Sequence, residues 1–148
     1  MNVYLDASVL IAYLYPATAD PIQVRQAQNL FVALETARLQ ATVAFYSFSE
    51  LYGYVDSNSP IEQRNDIFRS SLVKLFSAPL IVKPFVDRTE LAQLRRRFTI
   101  GDSTDVPHVV AALAFGCSAI ITFDHHFQQV REVIPVFTPD AFLATLDA

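Results

Sequence analysis

Apolar positions in this chain fall into short runs, and amphipathic stretches separate them from one end to the other. Asn2 to Asp6 is an apolar run that closes on an acid, and Val9-Leu10-Ile11-Ala12-Tyr13-Leu14 follows it and stops at Pro16. This predicts a strand and then a helix. Asp20-Pro21 offers an N-cap and a favoured first helical residue, and Val24, Ala27, Leu30, Phe31 and Leu34 recur at helical spacing to about Leu39. Ala41 to Phe45 reads as a second strand, followed by a helix carrying Leu51, Tyr52 and Val55. Asp56-Ser57-Asn58-Ser59-Pro60 is the most turn-like segment, after which Ser59-Pro60 starts a helix with Ile61, Ile67, Phe68, Leu72, Leu75 and Phe76 as core positions.

The second half continues the alternation. Leu80 to Lys83 predicts a third strand and Thr89 to Phe98 an exposed helix. Asp102 to Thr104 is placed to cap a helix over Asp105 to Phe115, whose Pro107 is tolerated because first-turn N–H groups have no intrahelical partner. Gly116 ends that helix. Ser118 to Phe123, a short helix from Asp124 to Glu132, a strand from Ile134 to Phe137 and a helix from Pro139 to Leu146 complete the chain. Strands alternating with helices predict an α/β fold with a mainly parallel sheet, whose ligands bind at the carboxyl ends of the strands.

Composition narrows what such a fold does. The 148 residues are 52% hydrophobic and 18% charged, which suits one globular domain over 1–148 and excludes disorder. Glycine occurs three times, at Gly53, Gly101 and Gly116, so neither a Walker A loop nor a dinucleotide-binding glycine fingerprint is present. The single Cys117 leaves no intramolecular disulfide and no cysteine-rich metal site, in keeping with a reducing compartment. The amino terminus has no basic region before Asp6, which predicts retention in the cytoplasm. The apolar stretch Val109 to Phe123, broken by Gly116-Cys117-Ser118, is too short for a membrane span. The formal charge of −4 argues against non-specific binding to polyanions.

Acids nonetheless gather where ligands are expected. Asp6 closes the first strand and Asp124 follows the fourth; Glu50 is placed in the first turn of the helix after the second strand, and Asp105 opens the helix that feeds the fourth. Each has a structural explanation: Asp6 as an N-cap, Glu50 as the end of a capping box in Ser47-Phe48-Ser49-Glu50, Asp105 and Asp124 as acids near helix starts. Taken together, four carboxylates on one rim repel one another, and a divalent cation removes the cost. Oxygen donors favour Mg²⁺ or Mn²⁺ over Zn²⁺. Without these four, the remaining eleven acids balance the eleven Lys and Arg, so the net charge resides in the candidate site.

The series Val3-Tyr4-Leu5-Asp6-Ala7-Ser8, Ser47-Phe48-Ser49-Glu50-Leu51, Asp105-Val106-Pro107-His108-Val109-Val110-Ala111-Ala112 and Thr122-Phe123-Asp124-His125-His126-Phe127 resembles the PIN-domain nucleases, with the VapC-type toxins of bacterial toxin–antitoxin pairs similar in layout. The resemblance covers nearly the whole chain. It implies a three-layer sandwich with a five-stranded sheet between helices, and metal-dependent endoribonuclease activity with Mg²⁺ or Mn²⁺ on Asp6, Glu50, Asp105 and Asp124. Ser8 and Thr122 match hydroxyl positions that line the family's site. A homodimer, an RNA substrate and a cognate antitoxin are implied as well, and no membrane partner. Pro107 stands where the family has an ordinary helix former, and His126 where a further acid is frequent, which implies a weaker second metal site.

Other candidates are weaker. His108 lies one turn from Asp105 and reads as a residue supporting the acids or contacting substrate. His125 and His126, as helix neighbours, are expected to point apart and not to share an ion. Arg95-Arg96-Arg97 is the one basic run and a candidate RNA or partner contact; Tyr13, Tyr46, Tyr52 and Tyr54 are candidates for stacking on bases. Three rival functions remain at this stage. One is a phosphoaspartate phosphatase using Asp6, which calls for an acid where Ser8 stands. The others are an RNA-processing nuclease outside a toxin–antitoxin pair and a catalytically silent protein-binding module on the same fold.

Overall fold

A computed structural model describes residues 1–148. Its centre is a five-stranded sheet of β1 (Asn2–Leu5), β2 (Gln40–Ala44), β3 (Leu80–Lys83), β4 (Ile120–Ile121) and β5 (Val136–Phe137) in the order β3-β2-β1-β4-β5. Every pairing is parallel, with Val3 opposite Ala41 and Leu5 opposite Ile121. Parallel strands need crossovers, and helices supply them: α1 (Ala7–Leu14), α2 (Pro21–Glu35), α3 (Tyr46–Asn58), α4 (Arg64–Ser77), α5 (Arg88–Arg95), α6 (Val106–Ala114) and α7 (Pro139–Leu146).

The sheet is buried on both faces, as its crossovers require. Alternation within β1 divides the core: Val3 and Leu5 join the packing of α1, α2, α3 and α7 on one face, while Tyr4 joins α6, Val86, Phe98 and Phe127 on the other. These are the three layers expected. Local signals account for the helix ends. Asp20 Oδ1 accepts from the N–H groups of Ile22 and Gln23 and starts α2, and Thr138 Oγ1 accepts from Ala141 N–H and starts α7. Gly116, at φ +67°, takes the left-handed turn that stops α6.

Strand order decides where a ligand binds. From β1 the chain adds β2 and β3 on one side and then crosses to place β4 and β5 on the other, so the direction reverses at β1. The crevice outside the carboxyl ends of β1 and β4 is the switch point of the sheet, and Asp6 and residues 122–124 lie there.

Several expectations are corrected. The segment Asp56 to Asn58 is helical, because α3 runs on through it with Asn58 Nδ2 donating to Tyr54 O and Arg64 pairing with Asp56. Ile61 and Phe76 are exposed, not core. Strands β4 and β5 are two residues each, and a 3-10 segment (His125–Val130) replaces the short helix expected after β4. Asp102 folds its carboxylate onto Thr104 N–H and Oγ1, leaving Asp105 as the N-cap of α6.

Candidate functional site

The site grows from the end of β1. Asp6, 5% exposed, is the N-cap of α1, and its Oδ2 accepts from Ser8 N–H at 3.3 Å, Ser8 Oγ at 2.8 Å and Thr122 Oγ1 at 2.9 Å. Each hydroxyl has one proton, and both are donated to Asp6. Their lone pairs are used too: Ser8 Oγ accepts from Phe123 N–H at 3.0 Å and Thr122 Oγ1 from Asp124 N–H at 2.9 Å. One carboxylate oxygen thus ties the end of β1 to the end of β4. Asp124 follows on that loop, half-buried, and its Oδ1 accepts from His126 N–H and faces His126 Nδ1, both at 2.9 Å.

Glu50 enters from α3. It stands in the second turn of that helix, not the first, because α3 starts at Tyr46 with Phe45 as N-cap and no side-chain cap bond. The capping box therefore does not form, and Ser47 Oγ is buried with no partner. Glu50 Oε1 instead lies 2.8 Å from Nε2 of His108, which is 1% exposed on α6. A carboxylate only accepts, so Nε2 is the protonated nitrogen, and in the neutral ring Nδ1 accepts from the Tyr4 hydroxyl at 2.7 Å. Burial disfavours the charged imidazole, but the Glu50 bond and the charges of Asp6, Glu50 and Asp105 outweigh it and move its pKa upward. Burial pushes the Tyr4 hydroxyl well above its ordinary range. The ligand atoms of Asp6, Glu50 and His108 lie within 4.8 Å of one another.

Asp105 is different. It is 7% exposed, its side chain makes no cap bond, and its Oδ2 is buried with no hydrogen-bond partner. Burial raises its pKa to about 6, helped by the charges of Asp124, Asp102 and Asp6 and opposed by His108. An orphaned carboxylate oxygen that feels the charges of Asp124, Asp102 and Asp6 is a donor that a hard divalent cation satisfies, although Asp105 lies outside the close Asp6–Glu50–His108 group and Asp124 groups with His125 and His126.

The remaining candidates separate. Arg95 donates to Phe98 O and lies over the Phe98 ring, while Arg96 and Arg97 are exposed at the end of α5; none of the three lines the cavity beside Glu50. His125 and His126 do not point apart: their rings are 4.3 Å from centroid to centroid, and both lie with Asp124 in one group of close ligand atoms. Tyr13 packs on Phe31, Tyr52 on Phe68, and Tyr54 bonds Thr18; only Tyr46 lines the cavity next to the acids. The role of Tyr4 was not anticipated, though a tyrosine inside an apolar strand is a signal that its hydroxyl has a partner.

A model of the PIN domain matches residues 3–133. The chain belongs to the PIN domain family. Solved structures share this PIN fold across nearly their full length. The VapBC2 structure from Rickettsia felis, bound to a DNA fragment from its promoter, matches at 15% identity over 92% of this chain and 97% of that one, with a TM-score of 0.62. VapC20 of Mycobacterium tuberculosis, a sarcin-ricin loop cleaving toxin, matches at 11% identity over 85% and 92%, with a TM-score of 0.63. FitAcB of Neisseria gonorrhoeae matches at 19% identity over 93% and 97%, with a TM-score of 0.62. No curated protein matches the sequence of this PIN domain.

Proposed function

We propose that this PIN domain is a divalent-metal-dependent endoribonuclease and the toxin of a toxin–antitoxin pair, with Asp6, Glu50, Asp105 and Asp124 as metal ligands and catalytic acids. The observation that carries the reading is the buried, partnerless Oδ2 of Asp105 among other carboxylates. A structural protein gains nothing from that repulsion, whereas a phosphodiesterase needs a site that holds a cation. Mg²⁺ or Mn²⁺ held there would polarise the scissile phosphate and acidify an attacking water. The chain's own groups prepare the site: Ser8 and Thr122 fix the rotamer of Asp6, His108 fixes Glu50, and Asp105 presents its partnerless oxygen.

The toxin assignment rests on likeness to the VapBC and FitAcB structures, which also supports an antitoxin as partner; the homodimer and the cytoplasmic setting belong to the same reading. Purified protein is expected to cleave single-stranded RNA in Mn²⁺ and to lose that activity in EDTA. Asp6→Asn and Asp105→Asn are each expected to abolish cleavage while the far-ultraviolet circular dichroism stays that of the parent. Unchanged cleavage in both variants would overturn the assignment. Growth arrest on expression in a bacterial host, relieved by Asp6→Asn, separates a toxin from a processing nuclease.

A further inference from the structure

Glu50 and His108 form one wall of a cavity of about 460 Å³, whose other side is aromatic: Phe45, Tyr46, Phe48 and Phe85. Phe45 directly follows β2, and Phe85 lies just past β3, so both stand at the carboxyl edge of the sheet. Rings continue without a break from the surface to the acids. Phe45 meets Phe85 edge-on at 5.6 Å, Phe85 meets Tyr46 at 5.0 Å, and Tyr46 meets His108 at 6.3 Å. Of the twelve phenylalanines, three are exposed, namely Phe45, Phe76 and Phe85, and Phe76 joins this same series through Phe48 at 5.9 Å. Phe85 is 61% exposed with exposed Phe45 and half-buried Tyr46 as its ring neighbours, so its own ring stands uncovered at the mouth of the cavity.

The polar groups around these rings have a direction. Thr104 Oγ1 donates to Asp102 Oδ1 at 2.7 Å and Ser49 Oγ to Tyr46 O at 3.2 Å, so each hydroxyl has spent its proton and offers lone pairs to a ligand. Tyr46 Oη accepts from Val86 N–H at 3.0 Å and keeps its own proton. No Lys or Arg lines the cavity, which excludes it as a second phosphate site. A flat apolar ring with N–H groups on its edge fits what remains.

From this geometry we infer that the cavity between Phe45, Phe85 and Thr104 binds an unpaired nucleobase of the RNA strand, stacked on Phe85, next to the phosphate held at the acids. The inference rests on the nuclease reading for the identity of that strand. Stacking on an aromatic ring tolerates every base, while the acceptors on Ser49 and Thr104 suit an exocyclic amine. Phe85 is a binding residue in this account and takes no part in bond cleavage.

The test uses a fluorescein-labelled single-stranded RNA hexamer and a hexamer of the same backbone with abasic riboses throughout, bound to the full chain in Ca²⁺ and followed by anisotropy. Phe85→Ala is expected to weaken the intact hexamer by about 5- to 100-fold, to leave the abasic hexamer unchanged, and to raise KM for RNA cleavage in Mn²⁺ more than it lowers kcat. Phe85→Trp is expected to restore affinity. Equal losses for both hexamers, no loss for either, or no binding by the parent would overturn the inference, as would a change in sedimentation coefficient on Phe85→Ala, which would make the patch an interface between copies. The two readings separate cleanly. Base-dependent binding without cleavage removes the nuclease and keeps the base site, and cleavage that ignores Phe85 does the reverse.

Discussion

Asp6 and Asp105 are both buried, at 5% and 7% exposure, and both cap a helix, yet their surroundings are opposite. Asp6 receives three hydrogen bonds on a single oxygen, whereas Asp105 keeps an oxygen that receives none. The fold alone accounts for Asp6, since an N-cap that also joins two strand ends stabilises the chain with or without a ligand. It does not account for Asp105. One acid is over-provided and the other is left with a bare oxygen, the contrast on which the proposed metal site rests.

This contrast predicts opposite responses to mutation. Asp6→Ala strips the partner from two hydroxyls and an N-cap, and is expected to cost about 3 kcal/mol, a fall in Tm of roughly 6–12 °C for a chain of this size. Saturating Mn²⁺ acts next. At about 100 times its Kd it adds ~2.7 kcal/mol at neutral pH, read as a rise in Tm. That gain should fade as pH drops below about 6, where Asp105 takes up a proton. The sign for the ion-free chain follows from the raised pKa: the folded state binds more protons than the unfolded between pH 3.8 and about 6, so stability falls as pH rises through that window. Asp105→Asn removes the repulsion and should raise the ion-free Tm by roughly 2–4 °C, the effect of ~1 kcal/mol, while abolishing the Mn²⁺ response. A loss of stability on Asp105→Asn would erase the contrast. The smallest change is expected for Glu50→Gln, whose amide oxygen still accepts from His108. Denaturant unfolding should stay within about 0.5 kcal/mol of the parent, with calorimetry in Mn²⁺ showing weaker binding.

Local chemistry made much of this fold legible in the sequence. Asp20-Pro21 starts α2 where the cap predicts, α7 spans the expected Pro139 to Leu146, and Gly116 ends α6 by a conformation that suits glycine. The mainly parallel sheet follows from the alternation of runs, and its PIN type from the four acid-bearing motifs. The departures depend on side-chain partners, near or distant in sequence, that the pattern of apolar positions does not show. Ser47 to Glu50 has the letters of a capping box, but the helix starts a residue before Ser47 and Glu50 turns to His108, 58 positions away. Asp56 to Asn58 has turn composition yet continues α3, with Asn58 Nδ2 donating to Tyr54 O and Arg64 pairing with Asp56. The histidine pair lies together in the segment after β4, where His126 N–H and Nδ1 both meet Asp124 Oδ1, a local contact that helical periodicity does not reveal. At the candidate site, the positions of Asp6 and Asp124 could be read from the ends of apolar runs. The Tyr4–His108–Glu50 chain and the uncovered ring of Phe85 could not, because each depends on which residues the crossovers bring side by side.

Asp6 and the hydroxyl that steadies it, on Thr122, are 116 positions apart, and Thr122 N–H in turn is held by Phe137 O. The clasp around Asp6 is therefore complete only when β4 and β5 have docked beside β1. If the proposed function holds, fragments that end before β4 lack both Thr122 and Asp124 and are expected to show no RNA cleavage in Mn²⁺.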